Sequence, residues 1–268
     1  MKRYVLITGA YGGMGKAAVR KLKDNGFSVF ALDKSVGEAE DGVVPIKSDI
    51  ADENSVKDAF DKIREYTEEL FAVIHFAGIY MLDSLVEIEN SDFERIFKIN
   101  LGGAFLVNKT FLPLMKSGSR IVMITSELAP LDPLPFTGIY ALTKSALDKY
   151  AYSLRMELQL KNINVSVLRA GAVSTGMLRV STDALDSFCE KTSLYTCNAE
   201  RFKRIVDGVE ARNIPPSRIA KKVFCILNKK YPRFAYSINR NPLLLTLNVL
   251  PKSIQLRIIK QVLKSEEG

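Results

Sequence analysis

Residues that build metal sites and disulfide frameworks are scarce in this chain. Its 268 residues include one histidine, His75, and three cysteines, Cys189, Cys197 and Cys225. The cysteines form no CxxC pair and lie far from His75 in the sequence. We therefore expect no metal site, no disulfide and no Cys–His catalytic pair, since His75 falls inside an apolar stretch. This cysteine usage favours a reducing cytoplasmic setting.

Long hydrophobic runs are also missing. The apolar residues 4–7 are too few for the core of a signal peptide and lead directly into glycines. Spanning a bilayer takes roughly 18 consecutive apolar residues, and no stretch reaches that length. A composition of 47% hydrophobic and 25% charged residues is ordinary for a folded protein. With no linker and no internal repeat, residues 1–268 are expected to form a single domain.

Acidic residues are absent between positions 215 and 264. Residues 215–268 hold 11 Lys or Arg and 2 acidic residues, whereas residues 1–214 hold 27 basic and 28 acidic ones. The formal net charge of +8 therefore arises in the last fifth of the chain. The same region carries apolar patches at residues 223–227, 243–250 and 254–263.

Three interpretations of this basic region stay open. It forms a solvated helix that closes a pocket or joins copies of the chain, it contacts an anionic membrane surface, or it attracts an acidic substrate. Contact with nucleic acid is not expected, because no binding motif accompanies the charge.

Predicted strands and helices alternate along the chain. The strands are apolar, β-branched runs without polar alternation, as expected when helices cover both faces of a parallel sheet. This order predicts an α/β, doubly wound Rossmann fold with a parallel sheet of about seven strands flanked by helices on both faces. The predicted strands are residues 2–8, 27–32, 43–47, 71–75, 120–124, 163–168 and 235–238, and the predicted helices are residues 14–25, 52–66, 93–115 and 138–160.

A glycine-rich segment, residues 8–15, lies between the first strand and the first helix. Glycines there allow a tight turn, close approach of a pyrophosphate to the backbone, and close packing of helix on strand. Free N–H groups at the helix start favour the phosphate charge. We predict that the segment binds a dinucleotide through Gly9, Tyr11, Gly12, Gly13, Met14 and Gly15.

Acidic residues after the second and third strands indicate how the adenosine half is held. Asp33 follows Gly15 by 18 residues, where a carboxylate accepts hydrogen bonds from the ribose hydroxyls and repels a 2′-phosphate. This favours NAD, with NADP as the alternative because the adjacent Lys34 attracts phosphate. Asp49 and Ile50 are placed to contact the adenine.

Tyr140 and Lys144 are four residues apart at the start of a predicted helix and therefore share one face. A phenol has a pKa of about 10, which is too high for efficient proton exchange at neutral pH. A neighbouring ammonium group favours the phenolate and lowers that pKa. The pair is a candidate acid/base.

With these motifs the chain resembles the short-chain dehydrogenase/reductase family over essentially its whole length. The resemblance implies a hydride transfer between NAD and a carbonyl/alcohol pair. It rests on motifs in the family's order and spacing, namely Thr8-Gly9-x-x-x-Gly13-x-Gly15, Asp33, Asp49, Ala77-Gly78, Lys98-Ile99-Asn100, Ser126 and Tyr140-x-x-x-Lys144.

The resemblance also implies a role for each site residue. Tyr140 exchanges the proton, Lys144 bonds the nicotinamide ribose and lowers the Tyr140 pKa, and Ser126 orients the substrate oxygen. Asn100 holds a water that extends the proton relay. Cofactor contacts are further implied for Ala77, Gly78, Val173 and Thr175.

The chain departs from the family pattern at three places. The usual Asn-Asn-Ala-Gly reads His75-Phe76-Ala77-Gly78, and we interpret His75 as structural. The usual Pro-Gly after the sixth strand is Ala170-Gly171. Ser126 and Tyr140 are 14 residues apart, one more than is common, so the loop between them is expected to reshape the pocket wall.

The expected substrate is a hydrophobic alcohol or ketone, because the predicted pocket walls are apolar. Residues 127–130 are similar to the steroid and retinoid dehydrogenase branch of the family, so a steroid, bile acid or retinoid fits. Residues 176–268 are expected to supply the lid and the basic segment. The expected wall residues are Ile79, Tyr80, Met81, Leu128, Pro130, Leu134, Phe136, Met177 and Leu178.

Two other functions stay open. One is a catalytically silent dinucleotide-binding regulatory protein, and the other is a reductase of a different lipid-like carbonyl compound. By resemblance the chain is also expected to form a homodimer or homotetramer.

Overall fold

Seven parallel strands form one sheet at the centre of the protein, whose computed structural model describes residues 3–210 and 212–264, without the side chains of residues 178, 179, 207, 209 and 210. The strand order is β3-β2-β1-β4-β5-β6-β7, and every neighbouring pair is parallel. The strands are β1 (Arg3–Thr8), β2 (Phe27–Asp33), β3 (Val43–Lys47), β4 (Leu70–His75), β5 (Met115–Ser126), β6 (Asn164–Ala170) and β7 (Ala235–Ile238).

Helices connect the strands and cover both faces of the sheet. Within the described ranges, none of them combines the length and the apolar character needed to cross a membrane. The helices are α1 (Gly13–Lys23), α2 (Glu53–Arg64), α3 (Asn90–Phe97), α4 (Gly103–Phe111), α5 (Gly138–Leu158), α6 (Gly176–Lys191), α7 (Thr196–Glu210), α8 (Pro216–Leu227), α9 (Pro242–Val249) and α10 (Lys252–Leu263).

The sheet has a hydrophobic core on each face, which explains the continuous apolar strands. In β1, Val5 and Ile7 pack on the face covered by α1 and α8, and Leu6 packs on the opposite face with α2, α4 and α5. All three side chains are fully buried. The parallel sheet with two covered faces confirms the predicted doubly wound Rossmann fold.

The strand order places the binding site. The chain moves outward in one direction through β2 and β3, then returns to the other side of β1 as β4. At such a reversal the connections diverge and leave a crevice beyond the carboxyl ends of the strands. The turns that follow β1 and β4 border this crevice.

The prediction of a single helix over residues 93–115 is wrong. A π-helical turn, Lys98–Gly102, separates α3 from α4, and a 3-10 turn at Leu112–Leu114 leads into β5. Gly103 packs so close to Ile50 that an added Cβ would lie 2.4 Å from the Ile50 side chain. The π turn gives the helix an extra residue at Asn100, whose side chain bonds to a neighbouring loop instead of facing water.

A third, smaller core lies beyond the carboxyl ends of the strands. It joins α6 and α7 to the loops after β4 and β5. By contrast, α8 packs on α1 and β7 extends the sheet, so residues 216–238 belong to the main body. The buried members of the third core are Leu82, Leu185, Phe188, Ala199 and Phe202.

His75 is buried near the end of β4 and has a structural partner. Its Nε2 lies 2.9 Å from Oδ1 of Asn108 on α4, and the residue is 3% exposed. Burial lowers the pKa of His75 to about 4, against a smaller opposing effect of the Asn108 hydrogen bond. The ring is therefore neutral at physiological pH and links the sheet to α4, in agreement with the structural interpretation.

This buried imidazole makes stability depend on pH. The unfolded chain takes up a proton at His75 near pH 6.5, whereas the folded chain resists it until about pH 4, so stability is lost as the pH falls. Between pH 7 and pH 5 we expect a loss of about 2 kcal/mol that His75→Gln abolishes. Urea unfolding of both proteins at each pH measures the difference, and carboxylates common to both cancel. A difference that does not change with pH would contradict the prediction.

Candidate active site

Two adjoining cavities open at the carboxyl edge of the sheet. One is a groove of about 770 Å³ that runs past the ends of β1, β2 and β3. The other is a cavity of about 240 Å³ beside β5 and α5. They share the lining residues Met14, Phe76, Gly78, Tyr80, Thr175 and Met177.

The groove is built on the glycine turn after β1. Gly9 has φ +65°, and an added Cβ would lie 2.6 Å from the Ala77 backbone nitrogen. A Cβ on Gly15 would lie 2.0 Å from the Gly9 carbonyl oxygen, and one on Gly13 would lie 2.7 Å from the Thr175 side chain. Hydrogen is therefore the only substituent that fits at these positions, and the turn packs directly on the end of β4.

Helix α1 begins at the groove with its N–H groups uncapped. Its N-cap is Gly12, which provides no side chain, and the first turn contains no acidic residue. The helix dipole places partial positive charge at this end. With Gly12, Gly13 and Gly15 lining the groove, the arrangement fits a bound phosphate or pyrophosphate.

Acidic groups lie at the adenosine end of the groove. The Asp33 carboxylate accepts a hydrogen bond of 2.9 Å from the Tyr11 backbone N–H. Lys34 Nζ lies 2.8 Å from an Asp49 carboxylate oxygen. Burial raises the pKa of Asp49, but the Lys34 hydrogen bond and charge outweigh it and hold that pKa below its usual value. Lys34 is thus partnered with a carboxylate, which weakens its attraction for a phosphate on the ribose.

Every residue predicted to bind the cofactor lines one of the two cavities. The smaller cavity takes Tyr140, Lys144 and Val173, and it shares Met14, Gly78 and Thr175 with the groove. The groove takes Gly9, Tyr11, Gly12, Gly13, Gly15, Asp33, Asp49, Ile50 and Ala77.

Asn100 is held by three hydrogen bonds. Its Oδ1 accepts from the Ile79 backbone N–H at 2.8 Å, and its Nδ2 donates to the Ile79 carbonyl and to Thr143 Oγ1, both at 3.0 Å. A Cβ at Gly78 would meet Asn100 Oδ1 at 3.1 Å and Lys144 Nζ at 3.5 Å. The glycine lets the chain after β4 pass close to both polar groups. Thr143 is a positioning residue for which the sequence offered no signal.

Tyr140 and Lys144 are brought together on α5 in an apolar environment. Lys144 Nζ lies 3.4 Å from the Ile124 carbonyl oxygen and 5.6 Å from the centre of the Tyr140 ring. Burial lowers the pKa of Lys144 to about 8. Burial also raises the pKa of Tyr140, and the nearby Tyr80 phenol adds to this effect. In this arrangement burial, and not the ammonium charge of Lys144, determines the pKa of the Tyr140 phenol. This is contrary to the expectation that Lys144 lowers that pKa.

Ser126 ends β5 at the smaller cavity. Its Oγ accepts a hydrogen bond of 3.2 Å from the Leu128 backbone N–H, and its hydroxyl proton is left for another acceptor. Tyr140 lies on the opposite side of the connecting loop and lines the same cavity. Ser126, Tyr140 and Lys144 thus line the smaller cavity. Asn100 lines neither cavity and lies behind Gly78, close to Lys144.

The predicted pocket walls are partly correct. Tyr80, Leu128, Leu134 and Met177 line the smaller cavity, Ile79 lines the groove, and the side chain of Leu178 lies outside the described residues. Met81, Pro130 and Phe136 line neither of these two cavities.

Phe136 packs against α6, α7 and the segment between them. Its φ is +63°, an unfavourable value for a bulky residue. Its ring packs against Phe188, Tyr195 and Phe202, with centroid distances of 4.6, 5.1 and 5.2 Å. The loop between Ser126 and Tyr140 thus places an aromatic ring against α6 and α7, which no local pattern could predict.

A buried carboxylate stands beside Ser126 in the otherwise apolar cavity. Glu127 lines the cavity and accepts a hydrogen bond of 2.5 Å from the Asn241 backbone N–H. Burial raises the pKa of Glu127, although that hydrogen bond and the charge of Arg240 oppose the rise. Glu127 thus links the loop after β5 to the segment before α9. In the sequence, the only signal for this contact is an acidic residue among apolar neighbours.

The fold and this site define a dinucleotide-binding α/β protein with a tyrosine–lysine pair in an apolar cavity. Comparison with known proteins identifies the group more closely. The family model described as short chain dehydrogenase matches residues 3–186. The chain belongs to the short-chain dehydrogenase family.

Relatives with known names cover different shares of the chain. A 3-amino-tetrahydro-pyrrolizinone reductase of Xenorhabdus hominickii is 30% identical over 249 residues, covering 88% of this chain and 87% of the relative. Estradiol 17-beta-dehydrogenase 2 of Mus musculus is 32% identical over 188 residues, covering 66% of this chain and 49% of the relative.

Solved structures share the fold. A short-chain dehydrogenase family protein of Francisella tularensis superposes with a TM-score of 0.74 at 21% identity, covering 89% of this chain and 97% of that one. A 3-ketoacyl-(acyl-carrier-protein) reductase of Brucella melitensis, complexed with NADH, has a TM-score of 0.72 at 19% identity and covers 88% and 96%. ElxO with NADP bound has a TM-score of 0.70 at 21% identity and covers 89% and 97%.

Two glycines test the phosphate site. A helical Gly→Ala change ordinarily stabilises a protein by about 1 kcal/mol. We expect Gly15→Ala instead to destabilise it by roughly 1–3 kcal/mol, since its Cβ has no room beside the Gly9 carbonyl. Gly12→Ala is the matched variant, because Gly12 has φ −71° and its Cβ would meet only Gly9 O at 3.4 Å. It should keep its stability and lose dinucleotide affinity.

Thermal unfolding with and without NADH separates the two effects. Equal melting temperatures for Gly15→Ala and the wild type would contradict the close packing of the turn. Undiminished NADH stabilisation of Gly12→Ala would contradict the placement of the phosphates.

Proposed function

We propose that the protein is an NAD(H)-dependent oxidoreductase that interconverts a hydroxyl and a carbonyl group on a hydrophobic substrate, with Tyr140 as acid/base. The supporting observation is that Tyr140, Lys144 and Ser126 line one cavity that adjoins the groove, with Asn100 behind Gly78 and close to Lys144. A nicotinamide dinucleotide bound in the groove supplies or accepts the hydride. The chain's own residues orient the substrate oxygen and exchange its proton.

The protonation state of Tyr140 fits carbonyl reduction. Because burial raises its pKa, the phenol carries its proton at neutral pH, which is the form that a proton donor needs, although the raised pKa also makes it a weaker acid than an exposed phenol. Lys144, with a pKa of about 8, is close enough to neutrality to exchange a proton in turn. Asn100 bonds to the Ile79 backbone and to Thr143, the residue before Lys144. It thereby holds the loop after β4 beside the pair.

The substrate class follows from the cavity walls. The cavity walls are formed largely by apolar side chains, namely Leu128, Leu134, Met177, Phe202 and Val206. An apolar cavity with a few polar groups at one side fits a hydrophobic ketone or alcohol such as a steroid, bile acid or retinoid. The names of the relatives, which include a steroid dehydrogenase and several reductases, agree with this class.

NAD is the proposed cofactor because of Asp33. Its carboxylate lies in the groove beside the N–H of Tyr11 and would oppose a second negative charge on the ribose. The nearest cation in sequence, Lys34, is bonded to Asp49. Arg95 also lines the groove, but it pairs with Asp92 at 3.1 Å.

Pairing of two copies is proposed as well. Helices α4 and α5 expose large apolar side chains at Phe105, Leu142, Tyr152 and Met156. Burying such residues between subunits is the usual use of an exposed apolar helix face.

Tyr140→Phe tests the acid/base role. Removing the hydroxyl should lower kcat by roughly 100-fold or more while NADH still binds, because general acid catalysis is lost and the ring remains. Tyr231→Phe, at a side chain that is 80% exposed and lines neither cavity, is the control. The assay follows NADH consumption with a panel of steroid, bile-acid and retinoid carbonyl compounds.

Each outcome of that assay is informative. If Tyr140→Phe keeps most of the wild-type rate, the proton donor is another group. If the wild type binds NADH and turns over no compound of the panel, the silent dinucleotide-binding protein replaces the enzyme as the better hypothesis.

Asp33→Asn tests the cofactor preference. The amide keeps an acceptor for Tyr11 and loses the charge, so NADPH affinity should rise by roughly tenfold, which corresponds to about 1.4 kcal/mol. Asp61→Asn, at an exposed carboxylate of α2 that lines neither cavity, is the matched control. Fluorescence titration with NADH and NADPH gives both affinities, and a wild type that binds NADPH more tightly than NADH would overturn the assignment.

A further inference from the structure

The last two helices expose an unusual amount of apolar surface. Six large side chains on α9 and α10 are at least one-third exposed, and we call this set the α9–α10 surface. In α10, three of them recur at every fourth position and form a stripe. The six are Leu243, Val249, Ile254, Leu256, Ile258 and Val262.

The helices that carry this surface are firmly attached to the body of the protein. Asn248 Oδ1 accepts a hydrogen bond of 2.9 Å from the Asp132 N–H, and Asn198 donates one of 2.7 Å to the Leu263 carbonyl. Gln255 is buried and bonds to the Leu250 carbonyl at 2.8 Å. Hydrogen bonds thus hold α9 and α10 to the rest of the protein, while the six apolar side chains remain exposed.

The helices that carry the α9–α10 surface contain basic residues and no acidic ones. Residues 215–264 contain no Asp or Glu. Lys252 is bonded to Asp132 from another loop, whereas Arg257 and Lys260 make no salt bridge within the part of the chain that the structure describes. Apolar side chains interspersed with cations are complementary to a surface that combines hydrocarbon with anionic groups.

We propose that the α9–α10 surface docks on an anionic lipid bilayer. The apolar side chains enter the boundary of the acyl region, and Arg257 and Lys260 contact lipid phosphates. A second copy of the chain fits less well, because pairing this surface with itself would place these cations against each other without acidic partners. No helix needs to span the membrane, since an amphipathic segment binds in the plane of the interface.

Such docking would place the substrate cavity at the bilayer. Leu244 of α9 lines the cavity together with Ile205 and Val206 of α7. A lipid-like substrate would then reach Tyr140 from the membrane without crossing water. This consequence rests on the proposed function, whereas the docking itself does not.

Co-sedimentation of the full chain with vesicles tests the proposal without cofactor or substrate. One set of vesicles is phosphatidylcholine, and the other is equal parts of phosphatidylcholine and phosphatidylglycerol. The apolar variant is Val249→Asp/Leu256→Asp, at side chains 85% and 67% exposed. Its matched control is Leu160→Asp/Tyr231→Asp, at side chains that are 84% and 80% exposed. These two residues lie shortly before β6 and β7, at the amino ends of the strands, whereas α9 and α10 follow the carboxyl end of β7. The charge variant is Arg257→Gln/Lys260→Gln.

The wild type and the control should bind the anionic vesicles and release them at high salt, and the apolar variant should not bind. The charge variant should lose roughly 25-fold in affinity, about fivefold for each cation removed. Equal binding by the apolar variant and the control, equal binding to both kinds of vesicle, or no vesicle binding by the wild type would overturn the proposal. The remaining alternative is that the α9–α10 surface joins two copies of the chain, and light scattering tests it. If the wild type is a dimer and the apolar variant is a monomer, the surface is a contact between copies and the proposal is overturned. Melting temperatures of all variants show that each is folded.

Discussion

The close packing of the first turn on the end of β4 is the constraint on which the site depends. Gly9 lies against the Ala77 backbone, and Gly15 lies against Gly9. This contact sets the direction of α1 and brings its N–H groups to the groove. It also fixes the start of the loop containing Gly78, which passes close to Asn100 and Lys144. A side chain at either glycine would move the phosphate site and the proton-exchange site together.

Burial determines the chemistry at the reacting end. Tyr140 and Lys144 lie in an apolar environment that disfavours both charges, so the phenol keeps its proton and the amine loses its own more readily. The same apolar walls also line the cavity beside the pair. The protonation of the pair and the apolar character of the cavity therefore share one cause, the removal of polar surroundings around a few polar atoms.

Much of the site could be predicted because its motifs are local. The glycine turn, Asp33 and the Tyr140–Lys144 spacing each depend on a short segment, and the structure places all of them on the two cavities. The helix predicted over residues 93–115 failed at Asn100, because its apolar periodicity does not reveal a π turn. Phe136 is expected from the sequence to line the pocket, and instead it packs in the third core. No sequence pattern indicates the contact of Thr143 with Asn100. In both cases the partners lie far away in the sequence.

By itself the sequence determined the fold class, the family and the place of Tyr140 and Lys144 on one helix, because apolar periodicity and motif spacing express backbone geometry that is the same wherever it occurs. Only the tertiary structure decided the protonation of Tyr140 and Lys144, the bonding of Lys34 to Asp49, and the aromatic core beneath the lid. These features depend on burial and on contacts between distant segments, which exist only once the chain has folded.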